Sequence, residues 1–408
     1  MRFAAALTLI AATASAFTAP SSTLQAPNRV QALQATKNND ETSIDRRDFF
    51  ISSAAKAMSI SALVAASTSN FDVANAAVSS TPYSNLYEPS PHSMDGKIVV
   101  ITGGNAGLGL ESTKRLAKAG ATVVFTSRNE AKGNAALAEI NQYLKENNTD
   151  ETFAGKAMVV TLDLCDLDNV KTFKDRLEVA IGKDSKIDTL MNNAGVMAIP
   201  DKRITKDNFE QTFQTNHLGH FALTSSLLPK LASDARVINV SSLGYQIAGK
   251  GLDLDNLNGE KNYGPWGAYG ASKLENIFFT SELQRRAAES ESYKNLKAFS
   301  LHPGAVQTDL ARYLIGEEKF AEMKEKGFTS LKDKILFETL AKFVKTVQEG
   351  ASTQVYLAAA DIGLLEKDSG KFFNDGKAEK LQAFALDSAK ASQLWTMSEE
   401  MANVKFEL

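Results

Sequence analysis

The chain has 408 residues, of which 43% are hydrophobic and 23% charged, and its formal net charge is -3 at pH 7. This length accommodates one large domain or two ordinary ones, and the nearly balanced charge gives no reason to expect a nucleic-acid partner. The single cysteine, Cys165, excludes an internal disulfide framework and a cysteine-rich zinc site.

The first 45 residues have the composition of targeting sequences. Residues 1–16, MRFAAALTLIAATASA, place Arg2 before a short apolar run that ends in small residues, which predicts a secretory signal peptide. Residues 17–45 are predicted to be a plastid transit peptide, because they are rich in Ser, Thr and Ala and contain no acidic residue before position 40. Phe17, directly after the small residues, resembles the signal-to-transit junction of algae whose plastids lie inside extra membranes.

A third targeting pattern covers residues 46–76. Arg46 and Arg47 precede a moderately apolar run that ends in Ala-Asn-Ala, which resembles a twin-arginine export signal. Asp45 departs from this pattern, since such signals usually carry Ser or Thr there. The run is too short and too weakly apolar for a stable membrane anchor.

Two interpretations of residues 46–76 stay open. As a cleaved address they direct the protein to the thylakoid lumen, and residues 77–94 form the N-terminal arm of the mature protein. As a leader in which the arginine pair is accidental, they leave the protein in the plastid stroma.

From residue 95 to 408 the sequence predicts one α/β domain. A strand at KIVVIT, a glycine-rich turn, a helix ended by Gly120 and a strand at ATVVFT form a βαβ unit. Four more apolar runs alternate with segments that are predicted to be helical: AMVVTLD, IDTLMNNAG, RVINVSS and LKAFSLHPG. This alternation predicts a single doubly wound parallel sheet of the Rossmann type, with helices on both faces. Ligands of such sheets bind beyond the carboxyl ends of the strands.

The turn after the first strand predicts a dinucleotide site. Gly103, Gly107 and Gly109 allow a tight turn and a close approach of the backbone to a pyrophosphate at the helix N-terminus. Their spacing is TGxxxGxG, which differs from the commoner GxGxxG fingerprint. Glycine turns are frequent in loops, so the glycines alone do not indicate a nucleotide site. Their position between a strand and a helix does support one.

The end of the second strand indicates which cofactor is bound. An acidic residue there binds the ribose 2′-hydroxyl of NAD, whereas an arginine accommodates the 2′-phosphate of NADP. This strand ends in Ser127 and Arg128, with no acid before Glu130. The fork of donors on Arg128 suits a phosphate, so the sequence predicts NADP. The alternative is a solvated surface arginine.

Two Tyr-x-x-x-Lys sequences are candidates for a catalytic pair. Tyr269 and Lys273 open a predicted helix after a Gly- and Pro-containing loop, and their spacing puts both on one helix face. Tyr293 and Lys297 follow a polar stretch and are predicted to lie at the surface. We therefore favour the first pair.

Taken together, the motifs are similar in order and spacing to the short-chain dehydrogenase/reductase family. The text around YGASKLENIFFTSEL and the C-terminal tail resemble its retinol dehydrogenase and WW-domain oxidoreductase branch. The resemblance covers nearly everything from residue 95 onward and rests on the motifs TGGNAGLG, NNAG at 192–195, TNHLGHF at 215–221, VSS at 240–242, YGASK at 269–273 and HPG at 302–304.

The resemblance implies a catalytic tetrad of Asn216, Ser242, Tyr269 and Lys273. Tyr269 would exchange a proton with the substrate oxygen, and Lys273 would favour its phenolate. Ser242 would hydrogen-bond the substrate oxygen, with Ser241 facing the other way, and Asn216 would hold a water beside the lysine. Taken singly, Asn216 could be a helix cap and Ser242 a strand end.

The resemblance also implies a set of NADP contacts. Asp163 matches the contact on the adenine side, and the residues after the sixth strand match positions that shape the nicotinamide pocket. The full set is Gly103, Asn105, Gly107, Leu108, Gly109, Ser127, Arg128, Asp163, Asn193, Ala194, Gly195, Tyr269, Lys273, Pro303, Gly304 and Thr308.

Other features leave the substrate open. The four histidines, including the pair His217 and His220, have no carboxylate cluster nearby, so no metal site is expected. Residues 305–345 alternate apolar and charged side chains at helical spacing, which fits an apolar lid or a surface helix equally well. The branch resemblance implies a retinoid-like, carotenoid-like or other apolar substrate, and is compatible with peripheral membrane contact. The alternative function is a non-catalytic NADP-binding sensor or component of plastid protein import. The sequence does not indicate an oligomeric state.

Overall fold

The computed structural model of the protein describes residues 86–147, 155–306 and 345–408. The targeting segments predicted at 1–16, 17–45 and 46–76 lie outside the described residues. So do the first part of the predicted arm and the predicted contact Thr308.

The described part of the chain contains one eight-stranded sheet with the order β3-β2-β1-β4-β5-β6-β7-β8. Strands β1 to β7 are parallel to their neighbours, and β8 pairs antiparallel with β7. The strand order reverses direction between β1 and β4, which creates the crevice where doubly wound folds bind nucleotides. The strands are β1 (Ile98–Ile101), β2 (Thr122–Ser127), β3 (Lys156–Thr161), β4 (Ile187–Asn192), β5 (Leu231–Val240), β6 (Lys297–His302), β7 (Phe372–Asn374) and β8 (Lys377–Glu379).

Helices cover both faces of this sheet, as predicted. They are α1 (Gly107–Lys118), α2 (Glu130–Asn147), α3 (Leu167–Lys171), α4 (Phe173–Ile181), α5 (Gln211–Phe213), α6 (Gly219–Leu227), α7 (Pro265–Glu289), α8 (Val347–Ala359), α9 (Ile362–Leu365) and α10 (Ser388–Ala402). A π-helical segment, Gln214–Leu218, joins α5 to α6. None of the helices in the described ranges combines the length and apolar character needed to cross a bilayer.

The core forms two buried apolar clusters, one on each face of the sheet. Val100 of β1 belongs to the cluster that includes residues of α6, α7 and α10, whereas its neighbours Val99 and Ile101 belong to the cluster with α1, α2 and α8. Successive side chains of a strand point to opposite faces, so burial on both sides explains why these strands read as continuous apolar runs. The sequence pattern therefore identifies β1 to β6 correctly.

The last residues of the predicted N-terminal arm pack against the domain. Arg115 of α1 is 1% exposed and donates to the carbonyl oxygens of Tyr87 (3.2 Å) and Gln348 (2.9 Å). Tyr87 also places its ring edge-on to Tyr356 of α8, with centroids 5.1 Å apart. The arginine thus fastens the arm, α1 and α8 together.

Candidate active site

The glycine turn after β1 has the backbone geometry that glycine alone adopts without strain. Gly103 and Gly107 have φ of +65° and +53°. A Cβ on Gly109 would collide with the Gly103 carbonyl oxygen and lie 2.7 Å from Asn193 Nδ2. The turn is followed directly by α1, which begins at Gly107. Backbone N–H groups and the helix dipole at this N-terminus favour an anion.

The ends of β1 and β4 are joined by one hydroxyl group. Thr102 Oγ1 accepts hydrogen bonds from the backbone N–H groups of Asn193 (2.9 Å) and Ala194 (3.0 Å). Asn193 in turn donates from Nδ2 to the Thr102 carbonyl oxygen at 2.8 Å. These bonds hold the 192–195 segment beside the glycine turn, at the crevice between β1 and β4.

Tyr269 and Lys273 lie one turn apart on α7, which begins at Pro265 after Gly264. Both are buried, and Lys273 Nζ lies 5.6 Å from the centroid of the Tyr269 ring. The other Tyr-x-x-x-Lys sequence has no such arrangement. Tyr293 donates from its hydroxyl to the Leu228 carbonyl oxygen at 3.1 Å, and Lys297 lies 3.5 Å from Glu366.

Lys273 is a buried cation whose ammonium has a single hydrogen-bond partner among the described residues. Its Nζ donates to the carbonyl oxygen of Val240 at 3.1 Å. Burial lowers the pKa of its ammonium to about 8, so the group is still charged at neutral pH. Two of its three hydrogens are left for other acceptors.

The two serines after β5 face different ways, as strand alternation predicts. Ser242 Oγ accepts from the Gly244 N–H at 3.0 Å and lies within hydrogen-bonding reach of the Tyr269 hydroxyl. Burial raises the pKa of the Tyr269 phenol, and the bond with Ser242 opposes this rise. Ser241 Oγ donates instead to the Lys273 carbonyl oxygen at 2.6 Å, which fastens α7 to the end of β5.

Asn216 lies within the π-helical segment, a form of helix that is frequent at functional sites. Its Nδ2 donates to the Val196 carbonyl oxygen and to Ser272 Oγ, both at 2.9 Å, and its Oδ1 accepts from the Val196 N–H at 2.8 Å. Both amide hydrogens are thereby used. A water in the proton path could be held only at an oxygen atom of this residue.

The end of β2 carries the predicted phosphate-reading residues. Arg128 is exposed. Burial raises the pKa of the Cys165 thiol, and the nearby charge of Arg128 opposes part of this rise. Asp163 accepts from the Cys165 N–H at 2.9 Å, so Arg128 and Asp163 flank the same corner of the sheet. The Ser127 hydroxyl is engaged locally, donating to the Asn129 carbonyl oxygen at 2.8 Å.

The end of β6 closes the site from the other side. His302 Nδ1 accepts from the Leu243 N–H at 3.3 Å, which links this strand to the loop after Ser242. Gly304 has φ of +97°, and a Cβ on it would lie 2.6 Å from Lys345 Cδ. Pro303 and Gly304 thus directly follow the carboxyl end of β6, while Thr308 belongs to the part of the chain that the structure does not describe.

The sequence model of the short chain dehydrogenase family matches residues 97–319. The chain belongs to the short-chain dehydrogenase family. It is 35% identical over 316 residues to retinol dehydrogenase 12 of Mus musculus, covering 76% of this chain and 88% of that protein. It is likewise 35% identical over 322 residues to human retinol dehydrogenase 14, covering 77% and 88%. The chain is thus an oxidoreductase of the retinol dehydrogenase-like branch.

Solved structures share this fold. An uncharacterized protein from Mycobacterium paratuberculosis is 33% identical, with a TM-score of 0.57 and coverage of 78% of this chain and all 100% of that one. The angucycline C-6 ketoreductase LanV with bound NADP shares the fold at 21% identity and a TM-score of 0.51, covering 71% and 98%.

The residues of this site fit the nicotinamide cofactor that the short-chain dehydrogenase fold implies. A Cβ on Gly195 would lie 3.1 Å from Asn216 Oδ1 and 3.5 Å from Lys273 Nζ. The missing side chain leaves a cradle that faces the two free hydrogens of the lysine, which suit hydroxyl acceptors such as those of a ribose. The glycine turn supplies the matching anion site, so the donor set fits a dinucleotide.

Two residues of this dehydrogenase site were not among the predicted contacts. Thr102 belongs to the glycine motif, and its position at the end of a strand could have drawn attention to it. Gln354 of α8 donates from Nε2 to Ser112 Oγ at 2.7 Å and reaches Asn193 Oδ1 at 3.3 Å. No local pattern predicts a contact between residues so far apart in the sequence.

The histidines of the described region are not arranged for a metal. Within the three described ranges, no group of three or more His, Cys, Asp or Glu side chains could hold an ion. Burial lowers the pKa of His217 to about 3 and that of His220 to about 4, so both are neutral.

Proposed function

We propose that this protein is an NADP(H)-dependent oxidoreductase that interconverts a carbonyl and an alcohol on an apolar substrate. The observation that carries the proposal is the convergence of Tyr269, Ser242 and the buried cation of Lys273. Lys273 Nζ lies 3.5 Å from the position that a Cβ on Gly195 would take, at the carboxyl edge of the sheet. The nicotinamide, when bound, supplies or accepts the hydride.

The protein's own groups act on the proton and on the substrate oxygen. Because burial raises its pKa, Tyr269 carries its proton at neutral pH and can donate it to a carbonyl oxygen that is being reduced. Ser242 Oγ accepts from the Gly244 N–H, so the hydrogen that it shares with the Tyr269 hydroxyl can be donated to the same substrate oxygen instead. The charge of Lys273 stabilises the phenolate that remains until solvent restores the proton. The protonated phenol is the form of Tyr269 that carbonyl reduction requires.

Arg128 supports NADP(H) over NAD(H). It follows the last residue of β2, it is exposed, and no carboxylate precedes Glu130 after that strand. A guanidinium binds the 2′-phosphate through charge-assisted hydrogen bonds that NADH cannot make.

An apolar substrate is supported by the surface beside the tetrad and by the relatives. Trp266 is 36% exposed and stands edge-on to Tyr269, with ring centroids 6.2 Å apart. Ile247, in the short 3₁₀-helix that Ser242 caps, is 44% exposed. Retinol dehydrogenases, the relatives at about 35% identity, are named for an apolar alcohol.

The test is NADPH oxidation by the purified protein with a panel of apolar ketones, aldehydes and pigments. Tyr269→Phe should retain NADPH binding and lose activity by about 10²- to 10⁴-fold, because only the proton donor is removed. Tyr293→Phe is the matched control and should stay within about twofold of the wild type.

Equal losses in both variants would contradict the assignment of the catalytic pair. NADPH binding without turnover of any compound would favour the sensing alternative.

We also propose that residues 46–76 are a cleaved address and that the protein works in the thylakoid lumen. Arg46 and Arg47 ahead of an apolar run that ends in small residues support this, as does their place behind a signal-like and a transit-like segment. A twin-arginine route carries folded proteins, so the nucleotide could enter with its domain.

Residues 1–95 fused to a fluorescent protein test the address. Lumenal signal that becomes stromal when both arginines are replaced by lysine is the expected result. Stromal signal from both fusions would show that the enzyme stays in the stroma, where NADPH is made.

A further inference from the structure

His220 connects the cofactor half of the site to the catalytic half. It lies at the start of α6 and is 1% exposed. Its Nδ1 lies 3.1 Å from the backbone carbonyl oxygen of Asn216, and its Nε2 lies 2.8 Å from Thr102 Oγ1. Its neighbour His217 is equally buried but bonds Ser398 of α10 at 3.0 Å, away from the turn after β1.

The partners of His220 determine the direction of each hydrogen bond in the series from Asn216 through His220 to Thr102. A carbonyl oxygen only accepts, so Nδ1 must carry the hydrogen. Since burial keeps the ring neutral and Nδ1 carries its hydrogen, Nε2 is an acceptor. The Thr102 hydroxyl donates to Nε2 at 2.8 Å, which is shorter than its 3.4 Å contact with the Met191 carbonyl oxygen. The Thr102 oxygen is then free to accept from Asn193 N and Ala194 N, as the structure shows.

We propose that His220 is a positioning residue that fixes the Asn216 peptide carbonyl and the Asn193–Ala194 backbone relative to each other. One ring thereby orders a π-helical turn of the tetrad and a segment at the cofactor crevice. The expected effect on kcat rests on the proposed oxidoreductase function. The hydrogen-bonding role of His220 does not depend on that function. A histidine that only fills space would have no reason to select the Nδ1–H tautomer.

The tautomer can be measured without any substrate. In the full-length protein labelled with ¹⁵N-histidine, the His220 ring should show a protonated Nδ1 and an unprotonated Nε2, unchanged between about pH 6 and 8. Its signals are assigned by their disappearance in His220→Gln. A protonated Nε2, or a ring that titrates in this range, would overturn the proposal.

Variants test the coupling, with His217→Phe as the matched control. His220→Phe keeps a ring of similar size but leaves the Asn216 carbonyl and the Thr102 hydroxyl without this partner. It should weaken NADPH binding and lower kcat by about tenfold each. His217→Phe lies among aromatic rings and should change both by less than about threefold.

A conservative variant separates positioning from packing. The amide of His220→Gln has one donor end and one acceptor end, so it should recover part of the lost NADPH affinity. Equal NADPH affinity and equal kcat in His220→Phe and His217→Phe would refute the positioning role while leaving the enzyme function intact. If the wild type turns over no substrate, the tautomer and the NADPH titrations still decide the proposal. If His220→Phe fails to fold, the tautomer measured in the wild type decides it.

Discussion

Replacing Lys273 by methionine is expected to stabilise the fold while abolishing turnover. The lysine is 5% exposed, and methionine keeps an unbranched apolar chain without the charge. The Val240 carbonyl oxygen, which Lys273 bonds at 3.1 Å, retains Asn276 Nδ2 at 3.2 Å. The substitution therefore leaves no buried acceptor unpaired.

The magnitude follows from the pKa of the ammonium, which burial lowers from 10.5 to about 8. That difference means that the charged lysine lowers the free energy of unfolding by about 3 kcal/mol. Below pH 8 the whole penalty applies. Between pH 8 and 10.5 the unfolded chain binds the additional proton, so stability rises with pH and the penalty disappears. The lost hydrogen bond offsets about 1 kcal/mol, which leaves a net gain of about 2 kcal/mol at pH 7.

Denaturant unfolding without added nucleotide, at pH 7 and pH 10, measures this gain. Lys273→Met should unfold at higher denaturant concentration than the wild type at pH 7 and at nearly the same concentration at pH 10. Lys297→Met is the control, because that lysine pairs with Glu366 at 3.5 Å and should show no gain that depends on pH. A lower unfolding free energy for Lys273→Met at pH 7, or an equal change at both pH values, would refute the reasoning.

Two further substitutions test the cofactor site. Arg128→Ala should weaken NADPH binding about tenfold or more and leave NADH binding nearly unchanged, because only NADPH offers a 2′-phosphate to the guanidinium; equal losses in titrations of both cofactors would show that Arg128 does not read that phosphate. Gly109→Ala should abolish NADPH binding, since its Cβ would collide with the Gly103 carbonyl oxygen and approach Asn193 Nδ2 to 2.7 Å. Gly267→Ala, whose Cβ would meet nothing within 4 Å, should keep NADPH binding and raise stability by about 0.5 kcal/mol; equal behaviour of the two glycine variants would contradict the steric argument.

The fold could be predicted where burial leaves a continuous signal in the sequence. Strands such as Thr122–Ser127 are buried on both faces, so they read as apolar runs bounded by turns. The hairpin of β7 and β8 was not predicted, because three residues are too few for any periodicity. The π-helical turn at Gln214–Leu218 was also missed, since its extra residue leaves no mark in the composition.

The site could be predicted only as far as its motifs are local. Tyr269 and Lys273 are one helical turn apart, so their spacing together with the loop before them predicts a shared helix face. Thr102 and His220 are separated by 118 residues, and Gln354 reaches across 242 residues to Ser112. Such contacts depend on how β1, α6 and α8 pack, which no short pattern specifies.

The surroundings of Lys273 explain why its charge is left uncompensated. In the described ranges its only hydrogen-bond partner is the Val240 carbonyl, a neutral group. Glu275 follows two residues later on α7, but burial and the nearby Glu210 raise the pKa of its carboxyl well above the usual range, which disfavours a negative charge there. A carboxylate beside Lys273 would stabilise the fold, yet it would cancel the field that stabilises the Tyr269 phenolate. The same reasoning predicts that this centre trades stability for reactivity, as functional sites commonly do.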